Sequence, residues 1–301
     1  MRKRLNRRAF EGTEAGLRVV LMALALALPQ PASAQSAKEA PRREPSKAAS
    51  KKPALKKTDL DRFAKALEGG SEPELLATLA EIRGLGPAGA PAAPHVEALL
   101  ARGSSVPVLL AAFETGGALG EQSTSSAIAP YVQHRNAEIR AAAAQALGQT
   151  KGPAAISALR KALGSADPAV RSTAAGLLGW LGARDAVPDL FTVLAHDTPQ
   201  AALSIALLCA PEQCDRLMAL LGKLKFETLE PAFVPLMIRP STEVPEEHQL
   251  RYVDRLRRLA TPSAQALLTL ALSKLPESAS PKLRRALDAA SKGRPAPKEM
   301  P

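Results

Sequence analysis

The chain has 301 residues, 46% of them hydrophobic, which is enough to bury a sizeable core and excludes disorder throughout. Aromatic residues make up only 3%, and a core built mainly from Ala and Leu favours closely packed helices over sheets. The net charge of +11 is concentrated in residues 1–57, so the remainder is close to neutral and a nucleic-acid partner is not expected.

Residues 1–34 have the sequence pattern of a secretory signal peptide. A basic stretch, Arg2–Arg8, precedes an apolar run, Val19–Leu28, and small residues follow. We therefore expect cleavage between Ala34 and Gln35, and a mature protein in the periplasm or outside a bacterial cell.

Two alternatives to this route stay open at the sequence level. The ten-residue apolar run rises about 15 Å as a helix, roughly half the thickness of a hydrocarbon core, so a retained membrane span is the weaker alternative. The pair Arg7-Arg8 partly resembles a twin-arginine signal, so the sequence is compatible with either the general secretory route or the twin-arginine route.

Residues 35–57 consist largely of Ala, Pro, Ser and Lys, with eight basic residues against two acidic ones. Such a segment buries too little apolar surface to offset its ordering entropy, so we expect a disordered basic linker. Residues 292–301 have a similar composition and are expected to form a disordered tail. The folded part is therefore predicted to span residues 58–291.

Two consecutive copies of a 31-residue unit occupy residues 136–166 and 167–197. In each copy, apolar residues recur at spacings of three and four over two stretches, as on one face of two successive helices. Asp167-Pro168 is a typical helix start, and Gly148 and Gly179 are expected to end the first helix of each copy in a left-handed conformation. The positions that are identical between the copies are Arg140/Arg171, Ala143/Ala174, Ala144/Ala175, Leu147/Leu178, Gly148/Gly179, Ala155/Ala186, Leu159/Leu190 and Leu163/Leu194.

Helical periodicity continues on both sides of these copies with lower fidelity. Upstream, residues 58–68 are predicted to form a terminal helix, followed by helical pairs at 71–103 and 104–135. Downstream, the predicted helices after residue 226 are 227–238, 246–259, 262–274 and 281–291. The predicted fold class is all-α, a superhelix of helical pairs in which each pair contacts only its neighbours.

The segments 136–148 and 167–179 resemble the first helix of HEAT repeats of the phycobilisome-lyase type, and residues 85–94 resemble the turn between helices in that family. The resemblance is good over residues 72–200 and weaker as far as residue 291. It implies an α-superhelix that most often binds proteins. The family includes a few enzymes, but the shared motif is structural and implies no activity.

Cys209 and Cys214 are the two cysteines of the chain, placed at the end of one predicted helix and near the start of the next. In an oxidising compartment a near pair of this kind is predicted to form a disulfide. The alternative is a buried free thiol at Cys209 with an unrelated Cys214. Redox-active centres favour the closer Cys-x-x-Cys spacing, and a metal site would need more ligands.

Trp180 and one arginine-rich helix supply the candidate partner-binding residues. Trp180 occupies a position that is polar in the preceding copy, so it serves either as an interface anchor or as a cover over the turn between helices. The arginine-rich helix is the predicted helix 246–259, whose solvent-facing side carries Arg251, Arg255, Arg257 and Arg258. A solvated face is the simpler interpretation of these arginines, and a patch for an acidic partner is the alternative.

Arg140 and Arg171 occupy equivalent positions, with Asn136 and Asp167 four residues before them. We interpret this arrangement as a ladder of polar contacts between adjacent repeats. A row of arginines that binds anions is the alternative interpretation.

No pattern in the chain predicts catalysis. The sequence contains neither the Gly-x-Ser-x-Gly nucleophile motif nor a glycine-rich phosphate loop. His134 and His196 lie two repeats apart in equivalent loops, roughly 20 Å from each other at 8–10 Å for each helix layer, which is too far to share a metal ion. We therefore expect no cofactor, no metal and no enzymatic activity.

The favoured functional hypothesis is a non-catalytic scaffold that binds a protein or peptide partner in the periplasm or outside the cell. The main alternative is an envelope-associated structural factor that its basic linker holds on anionic surfaces. An enzyme of the lyase or hydroxylase type is a weaker hypothesis. Export argues against a lyase, and no histidine of this chain is followed by Glu, so the His-Glu ligand pairs of HEAT-type di-iron hydroxylases are missing.

Overall fold

The computed structural model describes residues 55–293. Every regular element in this range is a helix, apart from one isolated bridge between Leu221 and Leu224. The predicted signal peptide, its cleavage site at Ala34 and Gln35, and most of the predicted linker and tail lie outside the described residues. The α-helices are α1 (Lys57–Gly69), α2 (Glu72–Leu85), α3 (Ala93–Arg102), α4 (Val106–Leu119), α5 (Thr124–Ile128), α6 (Ala137–Thr150), α7 (Pro153–Ala162), α8 (Pro168–Trp180), α9 (Val187–Leu194), α10 (Pro199–Leu208), α11 (Pro211–Met218), α12 (Phe226–Ile238), α13 (Glu246–Arg257), α14 (Pro262–Lys274) and α15 (Pro281–Ser291), with 3₁₀-helices at Gly86–Ala92, Ala129–Gln133 and Arg184–Ala186.

The all-α solenoid predicted from the sequence is confirmed. The first helix of each pair packs on the first helix of the next pair, in the order α2, α4, α6, α8, α10, α12 and α14. The intervening helices α3, α5, α7, α9, α11 and α13 are the second helices of the pairs. At the two ends of the described range, α1 packs on α2 and α3, and α15 packs on α13 and α14.

Equivalent apolar positions of the two sequence copies lie in one continuous core. Ile139 and Val170 are fully buried. Leu147 and Leu178, about two turns further along the same helices, are also fully buried. Each of these side chains contributes about 2 kcal/mol by leaving water. The structure therefore confirms the 31-residue register in the segment where the sequence repeat is strongest.

The starts of the first helices α6 and α8 are fixed by side-chain caps. Asn136 Oδ1 accepts a hydrogen bond from the backbone N–H of Glu138 at 2.9 Å, and Asp167 Oδ1 accepts one from Ala169 at 2.9 Å. Pro168 is the first residue of α8, where its missing N–H costs no intrahelical bond. The helix start predicted at Asp167-Pro168 is confirmed.

The predicted role of Gly148 and Gly179 as left-handed helix ends is wrong. Both glycines lie inside their helices, which continue to Thr150 and Trp180, and neither has a positive φ. A Cβ atom on Gly148 would lie 2.5 Å from a methyl group of Leu177 in the next first helix. At Gly148, therefore, the end of the Leu177 side chain would have to move to make room for an alanine.

The contact at Gly179 is the tighter of the two. A Cβ atom there would lie 2.3 Å from Ser204 Oγ and 3.0 Å from the Cα atom of Ser204, on α10. Ser204 is itself fixed, because its hydroxyl donates to the carbonyl of Ala175 at 2.7 Å. Backbone of α10 would have to move to make room for an alanine at this position.

Two alanine substitutions in the same helix test this close approach. We expect Gly179→Ala to lower the free energy of unfolding by about 1–3 kcal/mol, because it overpacks the contact with Ser204. Gly176→Ala, where nothing lies within 4 Å of the new methyl group, should raise it by roughly 0.5–1 kcal/mol through helix propensity. Urea denaturation of both variants measures the difference. Equal changes in the free energy of unfolding would show that α8 and α10 lie further apart at Gly179 than the structure places them.

After Cys209 the repeat register slips, and a different set of contacts continues the stack. Cys209 follows α10 and forms a disulfide with Cys214 in α11, with Cα atoms 5.3 Å apart. Arg239, at the end of α12, is buried and donates from Nη1 to the carbonyls of Ala206 (3.0 Å) and Cys209 (2.9 Å). Glu243 accepts from the other side of the same guanidinium at 2.8 Å. The cation thus satisfies the carbonyls left over at the C-terminal end of α10.

Replacement of this guanidinium tests its contribution. We expect Arg239→Met to lower the free energy of unfolding by about 2–4 kcal/mol, because two carbonyls and a carboxylate lose their shared donor in a buried place. Arg255→Met is the matched control, since Arg255 is exposed on α13; it should change stability by less than about 0.5 kcal/mol. Thermal unfolding followed by circular dichroism distinguishes the two variants, and similar melting curves would contradict a structural role for Arg239.

Candidate functional site

Trp180 lies at the end of α8 with 53% of its surface exposed. The Nζ atom of Lys151 lies 4.7 Å from the centre of the indole ring. Lys151 follows α6, so the contact joins the turns of two successive repeats and contributes about 0.5–1 kcal/mol. More than half of the indole stays open to solvent beside this ammonium group.

The three arginines predicted to bind a partner share α13 or its end, but they differ in their contacts. Arg251 Nη2 pairs with Asp215 Oδ2 at 3.1 Å, and Arg258 Nε pairs with Asp254 Oδ2 at 2.7 Å. Arg255 is exposed and has no ion pair among residues 55–293. None of the described contacts joins these arginines to Trp180, so the structure does not bring the predicted residues together as one site.

The prediction that Arg257 points toward solvent is wrong. Its side chain is 27% exposed and pairs with Asp254 at 2.6 Å. The same carboxylate accepts from Arg258, so one acidic residue holds two neighbouring arginines against α13. Burial raises the pKa of Asp254, but the hydrogen bond from Arg257 and the charges of both arginines outweigh it and leave the pKa below its usual value.

Asp215 is the acceptor that ties α11 to α13. The Tyr252 hydroxyl donates to Asp215 Oδ1 at 2.7 Å, and His248 Nδ1 lies 3.1 Å from the same oxygen. Burial raises the pKa of Asp215, but the contacts with Tyr252 and His248 lower it by more. The pKa of Asp215 is therefore below its usual value. Arg251 is therefore engaged in a joint between helices rather than presented freely to a partner.

The ladder of contacts between repeats predicted for Arg140 and Arg171 forms at Arg140 but not at Arg171. Arg140 Nη2 pairs with Asp167 Oδ2 in the next repeat at 2.7 Å, and its Nη1 donates to the carbonyls of His134 (2.9 Å) and Arg135 (3.0 Å). Arg171 makes the equivalent bonds to two carbonyls of its own loop. Thr198 replaces the aspartate in the following repeat, and within the described chain Arg171 has no ion pair.

Two adjoining grooves, which we call the Lys161 grooves, lie beside this ladder and share Lys161. The first has a volume of about 360 Å³ and lies between residues 132–135 and the segment 161–167, with Arg140 at its base. The second has a volume of about 410 Å³, lies along the second helices α7 and α9, and is lined by Pro153, Ile156, Ser157, Arg160, Lys161 and Asp189.

The acidic residues of the Lys161 grooves are already neutralised by neighbouring arginines. Arg160 Nε donates to Asp189 Oδ2 at 2.6 Å across α7 and α9, and Asp167 pairs with Arg140. The hydrogen bond from Arg140 and that from the Ala169 N–H hold the pKa of Asp167 below its usual value. Lys161 and Arg135 are exposed and have no ion pair in the described part of the chain, so the grooves carry a surplus of positive charge.

The pH dependence of stability tests the Arg140–Asp167 pair. Because the folded pKa of Asp167 is lowered, its contribution to stability is complete above the unfolded pKa of about 3.9 and is lost as the pH falls through the folded value. We expect Asp167→Asn, which keeps the helix cap, to destabilise the protein at neutral pH, with a difference that shrinks as the pH falls below about 4. Asp185→Asn, at an exposed position, should show no such trend in urea denaturation; a constant difference for Asp167→Asn would contradict the ion pair.

The described residues contain no cluster of three or more His, Cys, Asp and Glu side chains arranged to hold a metal ion. His134 and His196 lie in equivalent loops, and His134 Nδ1 accepts from the backbone N–H of Asn136 at 3.2 Å. Between residues 55 and 293, none of the helices has the length and hydropathy required to span a membrane.

The comparisons with known proteins agree with the repeat architecture. The model of the HEAT repeats family matches residues 93–167 and 125–210, which run from the start of α3 to the end of α10. No curated protein matches this chain. The matched repeats and the stack of helical pairs show that the chain is a HEAT-like repeat protein.

Several solved structures match most of this chain at low sequence identity. The complex of CpcE and CpcF of phycocyanin lyase from Nostoc sp. PCC7120 is 19% identical, with 80% of this chain and 100% of that chain covered and a TM-score of 0.42. A designed armadillo repeat protein in complex with the peptide (KR)4 is 17% identical, with 78% of this chain and 98% of that chain covered and a TM-score of 0.34. A second designed armadillo repeat protein is 17% identical, with 78% and 99% covered and a TM-score of 0.36.

The Lys161 grooves were not found from the sequence, although a signal for them exists. In the 31-residue alignment, Arg160 and Lys161 are equivalent to Phe191 and Thr192, and Arg135 is equivalent to Ala166. The basic residues are therefore a departure of one copy from its neighbour.

Proposed function

We propose that this protein is a non-catalytic HEAT-type scaffold that holds a segment of another protein along its second helices, with the Lys161 grooves at the centre of the contact. The single observation that carries this proposal is the pair of adjoining grooves, of about 360 and 410 Å³, which share Lys161 of the second helix α7. Grooves between stacked repeats give a long partner several equivalent places to bind.

The polar side chains of the described region support a scaffold rather than a catalyst. Asp167 and Asp189 are held by arginines of the preceding repeat, and Asp215 contacts three side chains of α13, those of His248, Arg251 and Tyr252. Each of these carboxylates joins neighbouring helices. They stabilise the stack, which keeps the grooves in a fixed arrangement for a partner.

The place of action that we propose is the periplasm or the exterior of the cell. The signal-peptide pattern of residues 1–34 supports export. The Cys209–Cys214 disulfide also supports it, because disulfides persist in oxidising compartments.

Site-specific photo-cross-linking in cells that export the protein tests this function. A photo-reactive residue in place of Ser157, which is exposed in the groove between α7 and α9, should form an adduct with a defined protein. The same residue in place of Gln200, exposed on the first helix α10, is the matched control and should give no such adduct. Equal adducts at both positions, or none at Ser157, would reject the proposed binding surface.

A further inference from the structure

The Lys161 grooves contain a charge that the protein leaves unbalanced. Of the basic residues that line them, Arg140 and Arg160 are paired with Asp167 and Asp189 at 2.7 and 2.6 Å. Lys161 lines both grooves and has no ion pair within residues 55–293. Arg135 lines the first groove and is exposed in the same way. A ligand with negative charge is therefore complementary to this surface.

The second groove adds an apolar wall to this charge. Pro153 is exposed, and Ile156 is half-buried on the same helix, one turn before Arg160 and Lys161. An occupant that matches both features has carboxylates for the two unpaired cations and an apolar side chain for the wall formed by Pro153 and Ile156. A peptide segment with alternating acidic and apolar residues has this composition.

A nucleic acid fits these grooves less well. Neither groove is lined by Phe, Tyr or Trp, so neither offers an aromatic surface on which bases stack. The observations favour separate carboxylates on a protein segment over a polyanionic backbone.

We propose that the Lys161 grooves bind an acidic segment of a partner protein, with Lys161 and Arg135 contacting its carboxylates and with Pro153 and Ile156 contacting an apolar side chain. This inference rests on the proposed scaffold function and specifies the partner of the same surface. The partner binds as an extended segment, since the second groove runs along α7 and shares Lys161 with the first.

Fluorescence anisotropy with the full mature chain tests the inference. The probe is a labelled peptide in which Glu and Leu alternate, and the control probe has Gln in place of every Glu. We expect binding of the Glu–Leu peptide that weakens as salt is raised, and weak or no binding of the Gln–Leu peptide. The double variant Lys161→Glu, Arg135→Glu should lose at least about tenfold in affinity, which corresponds to about 1.4 kcal/mol.

Lys65→Glu is the matched control, because Lys65 is exposed on α1, away from the grooves. It should leave the affinity for the Glu–Leu peptide unchanged, and circular dichroism should show that all variants keep the same helicity. Unchanged affinity in the Lys161 and Arg135 variant would overturn the inference. Preferential binding of oligothymidylate over the Glu–Leu peptide would overturn it as well.

The two proposals fail in different ways. If the residue at Ser157 cross-links a defined protein but the Glu–Leu peptide is not bound, the scaffold function stands and the acidic partner is wrong. If neither the cross-link nor peptide binding is observed, the binding surface itself is wrong.

Discussion

The close approach of successive first helices is the constraint on which the rest of the structure depends. At Gly148 and Gly179 the neighbouring helix comes so near that even a Cβ atom would lie within 2.5 Å of its atoms. At this distance the small residues of the first helices exclude water and pack at high density. The abundance of alanine and the scarcity of aromatic residues follow from the same requirement, because bulkier side chains would separate the layers.

Polar contacts then fix the register that the close packing leaves open. The Arg140–Asp167 pair ties the loop before α6 to the loop before α8, and the Arg160–Asp189 pair ties the second helices α7 and α9. Where the repeat becomes irregular, Arg239 takes over this role by binding the carbonyls at the end of α10. Since these groups satisfy one another, the positive charges of Lys161 and Arg135 remain unpaired within residues 55–293.

The sequence predicted the helices and their stacking because the 31-residue repeat records which residues face the core. It also predicted the Asp167-Pro168 helix start, which depends on local chemistry alone. The roles of Gly148 and Gly179 were wrong, because a glycine near a helix end is compatible with both a left-handed cap and a close helix contact, and only the neighbouring helix decides between them. The Lys161 grooves combine residues from four helical segments and the loops between them, so no local pattern contains them.

The most direct test of this account is the removal of one whole repeat. Deletion of residues 167–197 joins Ala166 to Thr198 and places α10 on α6 in the position that α8 now occupies. Because each pair contacts only its neighbours, the account predicts that thermal unfolding followed by circular dichroism stays cooperative, with unchanged helicity per residue. Deletion of residues 167–182 alone, which removes α8 and leaves α9 without its partner, should abolish the transition. Loss of the cooperative transition in the full-repeat deletion would contradict the equivalence of the repeats.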